Sequence, residues 1–329
     1  MHVINPTINE ESFASLASLW SEARYNLNWG SIFMLPAWLH VWWDSFGSAA
    51  ELYLRAVRQK EQVIGIAPLY IKDDTVSFVG SADVCDYLDF IVADGMAKDF
   101  FSVLLDDLAS KNIRQLNLEA LRPDSVALTK LVPLAEKRGY EVASRQMDVS
   151  IEMDLPSSWD EYLAELSKKQ RHEVRRKLRR LWEVGGVEYR FIEAGQEAGD
   201  LTDTFLKLFS LSHEDKAGFM TDRMKIFFKL LAEAMAEIGL LRFGVLEMDK
   251  QIMAMIMGFD YDDTMYLYNN VYASQYNTLS VGLLSKVLCL KESIHMGKKK
   301  WDFLRGREPY KYHLGGSEIP VYHCHIRIG

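Results

Sequence analysis

Two stretches of this chain repeat each other at a constant spacing, and the repeat limits the fold more than any single motif does. Gln62-Val63 followed by Asp73-Asp74-Thr75 recurs as Gln251-Ile252 followed by Asp262-Asp263-Thr264, 189 residues further on. Around the first copy, residues 52–57, 63–71 and 75–79 are short apolar or alternating runs separated by charged turns, the pattern of an antiparallel meander. A helix over Ala97–Leu108 and a strand over Gln115–Glu119 follow, and Ala127–Lys137 reads as a further helix closed by Gly139. The second half keeps this order, with Ile113–Leu118 opposite Lys298–Phe303. The expectation is two copies of one α/β (α+β) domain with mixed, largely antiparallel sheets. They would be joined near residues 145–160, so that 1–150 and 151–329 form the two domains.

At 329 residues and 49% hydrophobic, the chain is long enough for two sizeable cores. Its start, MHVINPTINEE, lacks the basic and apolar regions of a signal peptide, and no apolar run approaches the length of a membrane helix. Three distant cysteines, Cys85, Cys289 and Cys324, argue against a disulfide framework and suit a reducing cytoplasm. A net charge of −8 disfavours wholesale coating of nucleic acid.

In the first copy, Pro36 opens a helix that puts Trp38, Val41, Trp42 and Ser45 on one face, which reads as core or as the wall of a groove. In the second copy, Met265–Tyr268 is an aromatic strand. The loop Ala273–Leu279 then leads to Ser280, expected to cap a helix with Gly282 in its first turn. Leu283, Leu284, Val287, Leu288, Lys291 and Ile294 keep helical spacing until Gly297. The strand Trp301–Leu304 comes next, and directly after it the charged turn Arg305-Gly306-Arg307-Glu308-Pro309-Tyr310-Lys311.

A polar, Gly- and Pro-containing turn after a buried strand is where sites usually lie, although a surface turn with compensating charges has the same composition. Its Arg and Lys offer oxyanion or phosphate stabilisation, and Asp302 and Glu308 are acid–base or orienting carboxylates. Asp83, Asp86 and Asp89 alternate with apolar residues after the first meander; one is a candidate base, and a solvated loop is the plainer reading. His213, the polar tip of an apolar helix, is a substrate-side candidate beside its reading as a structural histidine. His323 and His325 share one face of a terminal strand and with His313 offer metal ligands, but no further spaced ligand cluster appears, so a structural strand is the plainer reading and no metal site is expected. Nucleotide-binding glycine loops and the GxSxG elbow are both missing.

Between the copies, Trp159–Trp182 reads as one long helix, and residues 168–180 carry eight Lys or Arg in thirteen positions. Such a run is a solvated face or a seat for a phosphate-bearing ligand such as RNA, a nucleotide sugar or coenzyme A.

Taken together, these stretches resemble the GNAT-fold acyltransferases of the cellulose-biosynthesis CelD-like (BioF2-like) type, relatives of the Fem aminoacyltransferases. The resemblance rests on Ser167-Lys168-Lys169-Gln170-Arg171, on Tyr272…Tyr276…Ser280-Val281-Gly282, on Asp302-Phe303-Leu304-Arg305-Gly306 and on Tyr310-Lys311. The first copy adds Pro36-Ala37-Trp38-Leu39…Trp42-Trp43…Phe46-Gly47 and Gly65-Ile66-Ala67-Pro68-Leu69. It implies two tandem GNAT domains and acyl transfer to an amine, with Lys311 after Tyr310 in the active site and Arg171 and Arg175 meeting an anionic substrate.

By the same resemblance Ser280, Val281 and Gly282 stand where coenzyme A phosphates are held, with one glycine where GNAT loops usually have more. An acyl-CoA is therefore the expected donor, with an aminoacyl-tRNA as the other option. The acceptor would be an amine on a sugar, polysaccharide or cell-wall precursor. Lys311 and Arg305 would stabilise the oxyanion, and Asp302 or Asp86 would take the proton. Tyr272, Tyr276, Tyr310 and His213 complete the substrate-binding candidates. The rival reading is a non-catalytic GNAT-like module that binds RNA or a protein partner through the basic helix.

Overall fold

The computed structural model describes residues 6–22, 26–212 and 220–328. Among these, the chain forms two compact units, one up to Val149 together with Ile319 onward, the other Ser150–Glu318. The terminal strand therefore packs with the beginning of the chain. His213 lies outside the described residues.

In the first unit β1 (Thr7–Glu10), β2 (Glu51–Gln59), β3 (Gln62–Lys72) and β4 (Thr75–Phe78) pair antiparallel in sequence order, and β5 (Ile91–Val92) also pairs β3. β6 (Gln115–Leu121) then runs parallel to β4 and antiparallel to β13 (Ser317–Arg327), which is followed by β7 (Glu141–Asp154). The helix Ala97–Ser110 buries Phe100, Phe101, Leu104, Leu105 and Leu108. It approaches β3 at Gly65, where a Cβ would stand 2.4 Å from the Phe100 ring, so only glycine fits. The Pro36–Phe46 helix buries Trp38, Leu39 and Trp42, which makes its aromatic face core.

In the second unit residues 150–154 of β7 pair antiparallel with β12 (Lys300–Arg305), and β12 runs parallel to β11 (Thr264–Tyr272). β10 (Gln251–Tyr261), β9 (Leu241–Met248) and β8 (Val187–Glu193) complete the sheet antiparallel. The Asp222–Glu237 helix brings Phe227, Phe228 and Leu231 to this core. The sequence repeat is a backbone repeat as well: Asp73 and Asp262 both take positive φ (58° and 48°) in their hairpin turns. Ala120 and Leu304 (58° and 62°) do the same near the ends of β6 and β12.

Three local expectations differ from the structure. The helix expected over 159–182 is two helices, Trp159–Glu165 and Lys168–Glu183, because Leu166 is extended and Ser167 starts a new helix by accepting from Gln170 N. Residues Ala127–Leu131 form a π-turn before the α-helix Val132–Lys137, in which Pro133 has no N–H for a regular ladder. Ser280 precedes its helix in the left-handed region (φ 57°) and makes no side-chain cap bond.

Asp89 reaches the start of the π-turn, accepting from Val126 N (2.7 Å) and Ala127 N (3.0 Å). Burial raises its pKa from 3.8 to about 7 against the lowering effect of those amides. A carboxyl group raised in the fold penalises the native state fully above pH 7, and the penalty fades as pH falls toward 4. Stability should therefore rise on acidification through that window, by at most about 1.4 kcal/mol per pH unit from this group. Urea titrations across the range should show the slope in the wild type and lose it in Asp89→Asn; an equal slope in both would remove Asp89 as its source.

His323 and His325 bond the side chains of Asn117 and Gln115 across the β6–β13 pair. Cross-strand amide bonds of this kind suit a structural strand.

Candidate acyl-transfer site

In the second unit, β11 and β12 are hydrogen-bonded neighbours only at Thr264↔Lys300, Met265↔Trp301 and Tyr266↔Asp302. Beyond that point β11 continues to Tyr272 along β10, and β12 turns at a register shift between Asp302 and Arg305. The β10–β11 register also shifts between Met257 and Phe259, beside the place where β11 leaves its partner. Bulges on both sides bend the strands apart and leave a wedge between two parallel strands.

One edge of the wedge is the start of the Val281–His295 helix. The first amides of a helix have no acceptor within it and, with the helix dipole, favour an anion. Gly282 lets β11 pack against this end: a Cβ there would stand 2.7 Å from Cδ1 of Tyr272, the last residue of β11. Tyr276, in the short turn before the helix, donates its hydroxyl to Gln251 Oε1 at 3.1 Å.

The other edge is the end of β12 and the short helix Pro309–His313. Asp302 is 2% exposed, and its Oδ1 accepts from Leu304 N at 2.8 Å, which fits the positive φ of Leu304. Lys311, also 2% exposed, donates to Leu304 O (3.1 Å) and Arg305 O (2.6 Å) and pairs with Glu308 Oε2 (3.0 Å). Its ammonium is thus a fastener for the bulged end of β12. Glu308 keeps a half-exposed carboxylate at the rim, and Gly306 (φ 109°) leaves it room, since a Cβ there would sit 2.6 Å from Glu308 Oε2. Arg305 is half-buried beside it.

Lys286 joins the two edges. Only 5% exposed, it donates to Gly282 O at 2.6 Å and stands 4.6 Å from the centre of the Tyr310 ring. Burial, and after it the charge of Glu308, push the Tyr310 phenol above its ordinary pKa. In the sequence, the signal for Lys286 is a lone lysine inside the apolar run Val281–Leu290. Lys286→Met should lower stability by about 1–2 kcal/mol through the lost bond and cation–π contact. Urea unfolding checks this, and an unchanged midpoint would mean Lys286 holds nothing together.

Arg171 (half-buried) and Arg175 (exposed) lie on the Lys168–Glu183 helix, which packs against the 274–279 turn and the Val281–His295 helix. Asp86 belongs to the first unit, half-buried in the loop after β4. The structure thus gathers Asp302, Arg305, Tyr310, Lys311, Tyr272 and Ser280–Gly282 around one wedge, with Arg171 and Arg175 on the neighbouring helix.

Residues 168–312 match the family of acetyltransferase (GNAT) domains, a span that contains the whole wedge. The chain carries a GNAT acyltransferase domain. No curated protein matches it in sequence. Among solved structures it is similar to FemX, at 11% identity over 96% of both chains with a TM-score of 0.64. It is also similar to a tandem GNAT protein from the clavulanic acid biosynthesis pathway, at 11% identity over 99% of both chains and a TM-score of 0.53. A third likeness is to the C-terminal domain of a putative lysylphosphatidylglycerol synthetase from Agrobacterium fabrum, at 10% identity, 85% and 84% coverage and a TM-score of 0.55. At these identities the likeness concerns the fold; the clavulanic acid pathway protein has the tandem GNAT architecture that the resemblance implies and with which the sequence repeat agrees. Among the described residues no helix is long and apolar enough to cross a membrane.

Proposed function

We propose that this acyltransferase moves an acyl group from acyl-CoA to a primary amine on a sugar or cell-wall precursor. The observation that carries the reading is the wedge between β11 and β12, bordered by a helix start whose Gly282 packs against Tyr272. Parted parallel strands leave backbone groups free to hold an extended thioester arm, and the first-turn amides suit its diphosphate. The amine attacks the carbonyl directly while both substrates are bound, forming the C–N bond as the C–S bond breaks, so no covalent enzyme intermediate is required.

The attacking nitrogen must lose a proton. Asp302 is buried with an oxygen on Leu304 N, whereas Glu308 is at the rim and ion-paired with Lys311, so Glu308 is the better placed acid–base group. In this reading Lys311 and Asp302 hold the bulge in shape, and Tyr272 and Tyr310 flank the arm.

A thermal-shift panel of coenzyme A, acetyl-CoA, longer acyl-CoAs, nucleotide sugars and bulk tRNA tests the donor. A ligand at ~100 times its Kd should stabilise the fold by about 2.7 kcal/mol. The expected result is a shift with an acyl-CoA, followed by thiol release that depends on an added amino sugar. A shift with tRNA alone would replace the thioester by an aminoacyl ester as donor, and silence throughout would overturn the reading.

A further inference from the structure

The Lys168–Glu183 helix carries a cationic face directed away from the protein. Val174 and Leu181 hold it to the protein, and opposite them Lys168, His172, Arg175 and Arg179 recur at i, i+4, i+7 and i+11, one above another. Glu173 takes Arg176 (2.8 Å) and Lys177 (3.4 Å), and Glu183 faces Arg179 at 3.6 Å. Among the described residues Lys168, Lys169, Arg171, Arg175 and Arg180 have no ion-pair partner. At the far end Trp182 (44% exposed) stands two helical turns beyond Arg175 and so on the same side of the helix, before the turn Gly185-Gly186.

We infer that this helix docks the second unit on a membrane surface rich in anionic lipid headgroups, with Trp182 entering the interfacial layer. Cations attract such a surface within about a Debye length, and an indole favours the headgroup level. The rest of the chain is acidic enough to bring the net charge to −8, so the same surface repels other faces and one orientation results.

The shape favours a bilayer over nucleic acid. A helix surface is convex, single strands are held in grooves with aromatic platforms, and the major groove of duplex RNA is too narrow for a helix. Because the apolar side of the helix is inside the protein, insertion is limited to Trp182, and binding should be reversible and sensitive to salt. This inference does not depend on the acyl-transfer reading.

The test is co-sedimentation of the full chain with phosphatidylcholine vesicles, with and without about 40% phosphatidylglycerol, at low and high salt. The expected result is a bound fraction at least ~10-fold higher on the anionic vesicles at low salt, falling steeply as salt rises. Arg175→Glu with Arg180→Glu should abolish that gain, and Trp182→Ala should weaken binding several-fold with the salt slope unchanged. Thermal melts confirm that these exposed positions leave the fold intact. No preference for anionic vesicles, full binding by the double variant, or displacement of vesicles by bulk tRNA would overturn the inference.

Discussion

Lys311→Met should lower both stability and turnover more than any other single change near the wedge. The lysine gives its protons to two main-chain carbonyls and one carboxylate while 2% exposed, so a methionine leaves Leu304 O and Arg305 O without their donor and Glu308 without its cation. Buried acceptors that lose a charged donor cost about 1–3 kcal/mol each; because Glu308 is half-exposed and rehydrates, a total near ~3–4 kcal/mol is expected. Urea unfolding measures this directly. Turnover per folded molecule should fall as well, because the bulge that turns β12 out of the wedge relaxes. Lys311→Arg should not rescue, since a planar guanidinium cannot place three donors in the space of an ammonium. A variant with wild-type stability would show that the ammonium is free to leave its partners, and unchanged turnover would remove Lys311 from the site.

Gly282→Val should separate donor binding from the fold. Its Cβ would stand 2.7 and 2.9 Å from Tyr272 ring atoms, closer than real Cβ contacts allow, and the branched methyls extend further into the helix mouth. The ring must move, and overpacking of this kind costs about 1–3 kcal/mol. The larger effect should be on the KM for the acyl donor, at least ~10-fold, because the first-turn amides are then screened from a diphosphate. Gly282→Ala should lie between the two. If the valine variant bound coenzyme A as the wild type does, by calorimetry or thermal shift, the donor would be held elsewhere.

Much of the second unit's site was legible in the linear order of residues. An aromatic strand, a loop, an apolar helix with glycine in its first turn, a buried strand and a polar turn place Tyr272, Gly282, Asp302 and Lys311 near one another, because parallel neighbours need a crossover helix between them. What those side chains do there was not legible. Whether Lys311 faces a substrate or its own backbone depends on the bulge at Asp302–Arg305, and a register shift has no sequence periodicity of its own. Lys286 escaped notice for a related reason: on a helix with nearly every side buried, spacing does not say which neighbour a lysine meets. Ser280 has the residue type of a cap, but the turn before it ends left-handed and its side chain makes no cap bond.

By itself, the sequence determined the duplication, the order of strands and helices in each copy, the core faces of the long helices, and the cationic run at 168–180. These follow from periodicity and turn chemistry, which act between residues close along the chain. Only the tertiary structure decided where β11 and β12 part, which carbonyls Lys311 holds, that Lys286 joins the wedge edges, and that the terminal strand packs with the first unit. Each of these depends on hydrogen bonds and contacts between residues distant in sequence, where local propensity carries no preference among partners and the packed sheet selects one.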